Sequence, residues 1–250
     1  GKSTLLRMVI GTFRPDSGSI KLWGREVTDL DETGLNDLRK KFGILFQSGA
    51  LFQSMTVAEN VSLPLEEHTE LDGATIDIMV KIKLELVGLR EHADKYPAQI
   101  SGGMKKRAGL ARALALDPRI LFYDEPSAGL DPVTSAEIDQ LIVDLTKKLG
   151  VTSVVVTHEM DSAFTIADRM VMLDKGRVLA VEDRRWFQQV RDADGELDER
   201  RALIRQFLCG CAEGPITERK QTTGYAEDLL GPEAIEPLVP GPSVVASRQR

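Results

Sequence analysis

The apolar positions of this chain change period along its length. Behind Gly1-Lys2-Ser3-Thr4, the cluster Leu5, Leu6, Met8, Val9 and Ile10 predicts the start of a buried helix. Arg14-Pro15-Asp16-Ser17-Gly18 is a turn cluster, and residues 19–23 alternate as a short strand does. Residues 41–47 read as a second strand, apolar at its centre. From residue 61 to 118 the period becomes helical, with Ile78, Ile82, Leu86 and Leu89 on one predicted face. Residues 120–123 form a short apolar run stopped by Asp124-Glu125-Pro126. Asp131 is a predicted N-cap with Pro132 at the first helical position. Ile138, Leu141, Ile142, Leu145 and Leu149 then make an apolar stripe that Gly150 closes. Residues 153–156 are rich in β-branched side chains and lead into Thr157-His158, and residues 169–173 and 177–181 flank the hairpin signature Asp174-Lys175-Gly176.

Strands apolar on both faces, alternating with helices, predict an α/β fold with a mainly parallel sheet. The helical block at about residues 61–118 interrupts that alternation and reads as a subdomain. One domain is expected over residues 1–208. Residues 209–250, with Pro232, Pro237, Pro240 and Pro242, are expected to form a flexible tail. With 42% apolar and 28% charged residues the composition is that of a globular protein. No stretch approaches the roughly 18 consecutive apolar residues that cross a bilayer, so another chain must do any spanning. Acidic residues outnumber basic ones 39 to 32, a net charge of −7, which argues against a nucleic-acid partner bound by bulk phosphate attraction. Lys105-Lys106-Arg107 is accordingly read as a solvated helix face. Cys209 and Cys211 are too few for a disulfide scaffold, and with only His68, His92 and His158 no metal cluster is expected. Two reduced thiols fit a cytosolic compartment.

Three segments carry chemistry. Gly1-Lys2-Ser3-Thr4 fits the second half of a P-loop, in which backbone amides at a helix N-terminus face phosphate oxygens. Lys2 would reach the outer phosphates and the Ser3 hydroxyl would ligate Mg²⁺. Asp124-Glu125 closes an apolar run, where one carboxylate can hold Mg²⁺ and its neighbour can polarise a water. Ser101-Gly102-Gly103 supplies free amides at a second helix start, 23 positions before Asp124.

In this order the motifs resemble those of the nucleotide-binding subunit of ABC transporters, over roughly residues 1–182. Gly1-Lys2-Ser3-Thr4 is similar to the end of Walker A, Gln47 to the Q-loop glutamine and residues 120–124 with Glu125 to Walker B and the catalytic glutamate. Ile100-Ser101-Gly102-Gly103-Met104 resembles the signature loop, with isoleucine where leucine is usual and methionine where glutamine is frequent. Ser127-Ala128-Gly129-Leu130-Asp131 is similar to the D-loop, and His158 to the switch histidine. The resemblance implies a P-loop NTPase of ABC type that binds ATP and Mg²⁺. Glu125 and His158 would be catalytic. Gly1, Lys2, Ser3, Thr4, Gln47, Ser101, Gly102, Gly103 and Asp131 would bind nucleotide, and Ser3, Gln47 and Asp124 would face the metal. It also implies a head-to-tail homodimer that sandwiches ATP between Lys2 of one subunit and Ser101 of the other, bound to a transmembrane permease.

Leu51, Phe52 and Met55, just after Gln47, are expected to lie exposed and to suit a groove for a helix of that permease. With residues 63–69 and 123–132, this stretch resembles the ATPases of Mla-type systems, bacterial ABC complexes that move phospholipids with MCE-type substrate-binding proteins. Such a subunit would lie at the cytoplasmic face of the inner membrane. ABC ATPases for another solute, or ones acting on DNA or ribosomes, are the alternative readings. The chain opens inside its first motif, without the leading glycines, the strand before them or the upstream aromatic. It is therefore expected to be a fragment that binds ATP poorly until those residues are restored.

Overall fold

The computed structural model describes residues 1–217, which form two compact units divided between Phe187 and Gln188. Helix α1 (Lys2–Val9) buries Leu6 and the following Ile10, whereas Leu5 stays exposed. A two-residue turn, Trp23-Gly24, with φ of 50° and 77°, joins β1 (Lys21–Leu22) to β2 (Arg25–Glu26). Positive φ at both turn positions is the hairpin geometry that matches strand twist. Alternation over residues 19–23 predicts the first strand of this hairpin but not its partner. Helix α2 (Glu32–Arg39), capped by Asp31, leads into β3 (Phe42–Leu45).

Four helices with polar N-caps follow or flank the next strand. They are α3 (Val57–His68), with a Thr56–Glu59 capping box, α4 (Gly73–Leu86), capped by Asp72, α5 (Gly102–Ala113), capped by Ser101, and α6 (Pro132–Leu149), capped by Asp131. As expected, Pro132 opens α6 and Gly150 ends it in the left-handed conformation. Strand β4 (Ile120–Asp124) precedes α6 and β5 (Thr152–Val156) follows it. Helix α7 (Met160–Ile166) and the antiparallel hairpin β6 (Arg169–Asp174) and β7 (Arg177–Asp183) come next, then α8 (Arg184–Asp192).

Strands β3, β4 and β5 form one parallel sheet in the order β3-β4-β5, with Leu45 opposite Tyr123 and Asp124 opposite Val156. Alternate residues face opposite layers. Phe42 and Phe122, stacked edge to face at 5.3 Å, join Leu6, Ile10, Leu35 and Leu38 on one side. Leu45, Leu121 and Tyr123 join the helices α3 to α6 on the other. Burial of each such side chain contributes about 1.5–3 kcal/mol. Gly43 is required for this layering, since a Cβ there would lie 2.1 Å from the carbonyl oxygen of Ala113. Because the strands are parallel, Gln47, Asp124-Glu125 and Thr157-His158 all emerge at the same end of the sheet.

Helix α4 corrects one expectation. Ile78 and Ile82 are 60% and 53% exposed, and the buried face is instead Ile76, Val80, Lys83 and Leu84. Lys83 shares that inner face, its stem buried and its ammonium paired with Asp117, while Leu86 and Leu89 do pack into the core. In the second unit, α9 (Glu199–Cys209) is capped by Asp198 and ends at Gly210. Gln206 then ties residues 211–217 back onto that helix through Cys211, Ile216 and Thr217. The expected flexible tail, apart from this beginning, lies outside the described residues.

Candidate active site

Helix α1 has glycine at its N-cap and no side chain capping it, so the amides of its first turn are open to an anion. Lys2 is its first residue, and among the described residues no carboxylate pairs with its ammonium. One turn position later the Ser3 hydroxyl donates to Asp124 Oδ1 at 2.8 Å, across 121 residues of sequence. Asp124 ends β4 and is buried. A hydroxyl and a carboxylate at an open helix N-terminus are hard oxygen donors suited to Mg²⁺. Among the described residues no group of three or more His, Cys, Asp or Glu could hold a metal, so such an ion would complete its shell with phosphate and water oxygens.

Glu125 is the first residue beyond β4. Its amide still donates to Val156 O at 2.8 Å, yet its φ is +53°. A left-handed backbone at a non-glycine residue stores strain that its surroundings must hold in place. Here it turns the side chain toward the end of β5, where Oε2 accepts from His158 Nδ1 at 2.8 Å and from the His158 amide at 3.3 Å. The two residues expected to be catalytic are thus hydrogen-bonded to each other.

Lys106 corrects the reading of residues 105–107 as a solvated face. It is 5% exposed, and its Nζ donates to Glu125 O at 3.0 Å. Burial pushes its ammonium below the usual lysine range, while the negative charges of Glu125, Glu159 and Asp124 oppose that shift. Arg107 is also engaged, donating to Glu137 at 2.7 Å. No signal in a three-residue basic run distinguishes the inward side chain from its neighbours. Only its phase on α5 does.

The remaining predicted residues are spread around this centre. Ser101 Oγ accepts from Met104 N at 3.3 Å and caps α5. Gly103 packs so closely that an added Cβ would lie 2.5 Å from Thr134 Cγ2, and one at Gly102 would lie 3.3 Å from Leu130. The start of α5 therefore rests on the start of α6. Asp131 accepts from the Val133 and Thr134 amides, each at 3.1 Å, and from Thr134 Oγ1 at 2.6 Å. The Thr134 bonds hold its carboxyl below the ordinary aspartate range. Within one chain Asp131 is a helix cap. Gln47 is exposed at the sheet end, and no hydrogen bond joins it or Ser101 to Lys2, Ser3 or Asp124. Leu51, expected exposed, is buried, whereas Phe52 is 52% exposed. The fully buried Asn60 shapes this loop: it accepts from Phe52 N and donates to the carbonyls of Phe52, Met55 and Thr56. Its role was not legible beforehand, since a polar residue at a helical core position has no periodic signature.

Residues 1–128 match the family model described as ABC transporter. The chain is also 41% identical, over 92% of its length and 82% of the relative's, to the intermembrane phospholipid transport system ATP-binding protein MlaF of Escherichia coli. The chain belongs to the ABC transporter family. This ABC ATPase is likewise 42% identical over 94% of its length to the probable ribonucleotide transport ATP-binding protein mkl of Mycobacterium leprae, and spans 65% of that protein. Its fold matches a dimeric ATP-binding cassette in a post-hydrolysis state bound to ADP and Pi, with a TM-score of 0.67 and 34% identity over 74% of this chain and 81% of that one. The α/β architecture is that of a P-loop NTPase, and no helix among its described residues is long and apolar enough to cross a membrane.

Proposed function

We propose that this ABC ATPase powers the movement of phospholipids between membranes, closing as a homodimer on ATP and reopening after hydrolysis. The observation that carries the ATPase part is the bond from Ser3 to Asp124, which brings the phosphate-binding helix to the acidic end of β4. The α1 amides and Lys2 hold the β- and γ-phosphates. Bound beside Ser3 and Asp124, with Gln47 nearby, Mg²⁺ would neutralise charge on the phosphate oxygens. The Glu125 carboxylate orients the attacking water and accepts its proton, while His158, held through Nδ1, keeps that carboxylate aimed and stabilises charge on the γ-phosphate. Within one chain Ser101 and Asp131 serve as the caps of α5 and α6, and likeness to dimeric cassettes supports a head-to-tail partner whose Ser-Gly-Gly segment covers the nucleotide.

In this reading residues 1–208 act as the ATPase domain, with about 61–118 as its helical subdomain. The exposed Phe52 receives a permease helix, an MCE-type protein handles substrate, and the subunit sits peripherally on the cytoplasmic face of the inner membrane. The lipid cargo rests on likeness to MlaF of Escherichia coli; the name of the mycobacterial relative favours ribonucleotides as a second cargo. In the full-length protein, Glu125→Gln is expected to lower turnover at least a hundredfold while accumulating an ATP-bound dimer. Wild-type turnover in that variant would remove Glu125 from the reaction. With the permease in liposomes, stimulation by phospholipid and not by ribonucleotide is expected, and the reverse would change the cargo.

A further inference from the structure

Lys106 is a buried cation for which the ATPase chemistry above has no use. Its ammonium is within hydrogen-bond distance of a single carbonyl, that of Glu125, at 3.0 Å. The same oxygen accepts from Ala128 N at 3.3 Å, closing the turn Glu125-Pro126-Ser127-Ala128. Glu125 itself is left-handed at φ +53°. A peptide in that conformation needs external contacts to persist, and the Lys106 Nζ supplies one by donating to the Glu125 carbonyl. The side chain reaches Glu125 from α5, the helix whose first residues are Gly102 and Gly103 and whose cap is Ser101. That helix start is in turn wedged against α6 through Gly103 and Thr134.

We propose that Lys106 is a positioning residue: it holds the Glu125 peptide in its strained conformation and thereby couples the Ser101-Gly102-Gly103 segment to the carboxylate that acts on ATP. This rests on the catalytic role proposed for Glu125. Its consequence is that a shift of α5, such as engagement of Ser101 by a partner's nucleotide would produce, is felt at Glu125 of the same chain. In this role Lys106 acts through the Glu125 backbone carbonyl.

The test compares Lys106→Met, Lys106→Arg and Glu125→Gln in the full-length protein. Lys106→Met should leave nucleotide affinity and KM within twofold, lower kcat at least tenfold, and speed hydrogen exchange at residues 124–128 without changing it at residues 138–145. Lys106→Arg, which keeps the charged donor, should recover kcat to within about threefold of wild type. In the Glu125→Gln background, adding Lys106→Met should change the residual turnover less than twofold, because the two act through one group. Normal kcat in Lys106→Met beside an inactive Glu125→Gln overturns this proposal alone. So does a loss of affinity and Tm that arginine fails to rescue. If Glu125→Gln retains wild-type turnover, the reading of Glu125 falls and this one with it. Lys106→Gln, shorter and uncharged, answers the same question should the methionine variant not fold.

Discussion

Asn60 shows how much one buried polar side chain can organise. It is fully enclosed, and its amide serves one N–H and three carbonyls of residues 52–56. Truncation leaves Phe52 N and Met55 O without those partners, whereas Phe52 O and Thr56 O keep bonds from Met55 N and Asn60 N, and each buried group left unpaired costs about 1–3 kcal/mol. Asn60→Ala is therefore expected to destabilise the protein by about 3 kcal/mol in urea titration. It should also release the loop that presents Phe52. Glu125 teaches the complementary lesson. Its carboxylate depends on a backbone conformation few residues adopt, so its aim comes from neighbours rather than from its own preference.

The helices are anchored by their caps. Asp72 accepts from both the hydroxyl and the amide of Thr75 at the start of α4. The hydroxyl bond is the larger cause, and together the two lower the carboxyl below its ordinary value. A carboxyl depressed in the folded state adds stability above its unfolded pKa, near 3.9. That stability is lost as pH falls through the depressed value. Asp72→Asn keeps an acceptor for the cap but does not titrate. The wild-type advantage over this variant should thus be present at pH 7 and vanish in acid, as read from urea midpoints at a series of pH values. Along the same helix, Ile78 and Ile82 face outward while the Lys83 stem lies on the inner face.

Whole-molecule architecture depends on layers meeting closely. Helix α5 lies against β3 at Gly43, where the space for a Cβ is already filled by Ala113 O at 2.1 Å. Gly43→Ala is expected to push the helix from the sheet and cost about 3 kcal/mol by overpacking, measurable as a lowered urea midpoint. Because α5 also carries Lys106 and is capped by Ser101, the same change should lower ATP turnover without touching a residue that meets nucleotide. The parallel strands bring Gln47, Asp124-Glu125 and His158 to one end of the sheet.

Local patterns in the sequence by themselves determined the strands β3, β4 and β5, the Asp131-Pro132 start and Gly150 end of α6, and the β6–β7 hairpin. Each of these is written in adjacent residues: β-branched runs, a cap beside a proline, a glycine free to turn left-handed. The order of motifs was equally legible, and with it the family. Tertiary structure alone decided the phase of α4, the burial of Lys106 and Leu51, the role of Asn60 and the pairing of Ser3 with Asp124. Those outcomes depend on which side of an element meets another one. Periodicity gives the spacing of side chains on a helix, but only the packed layers choose which of them lose contact with water.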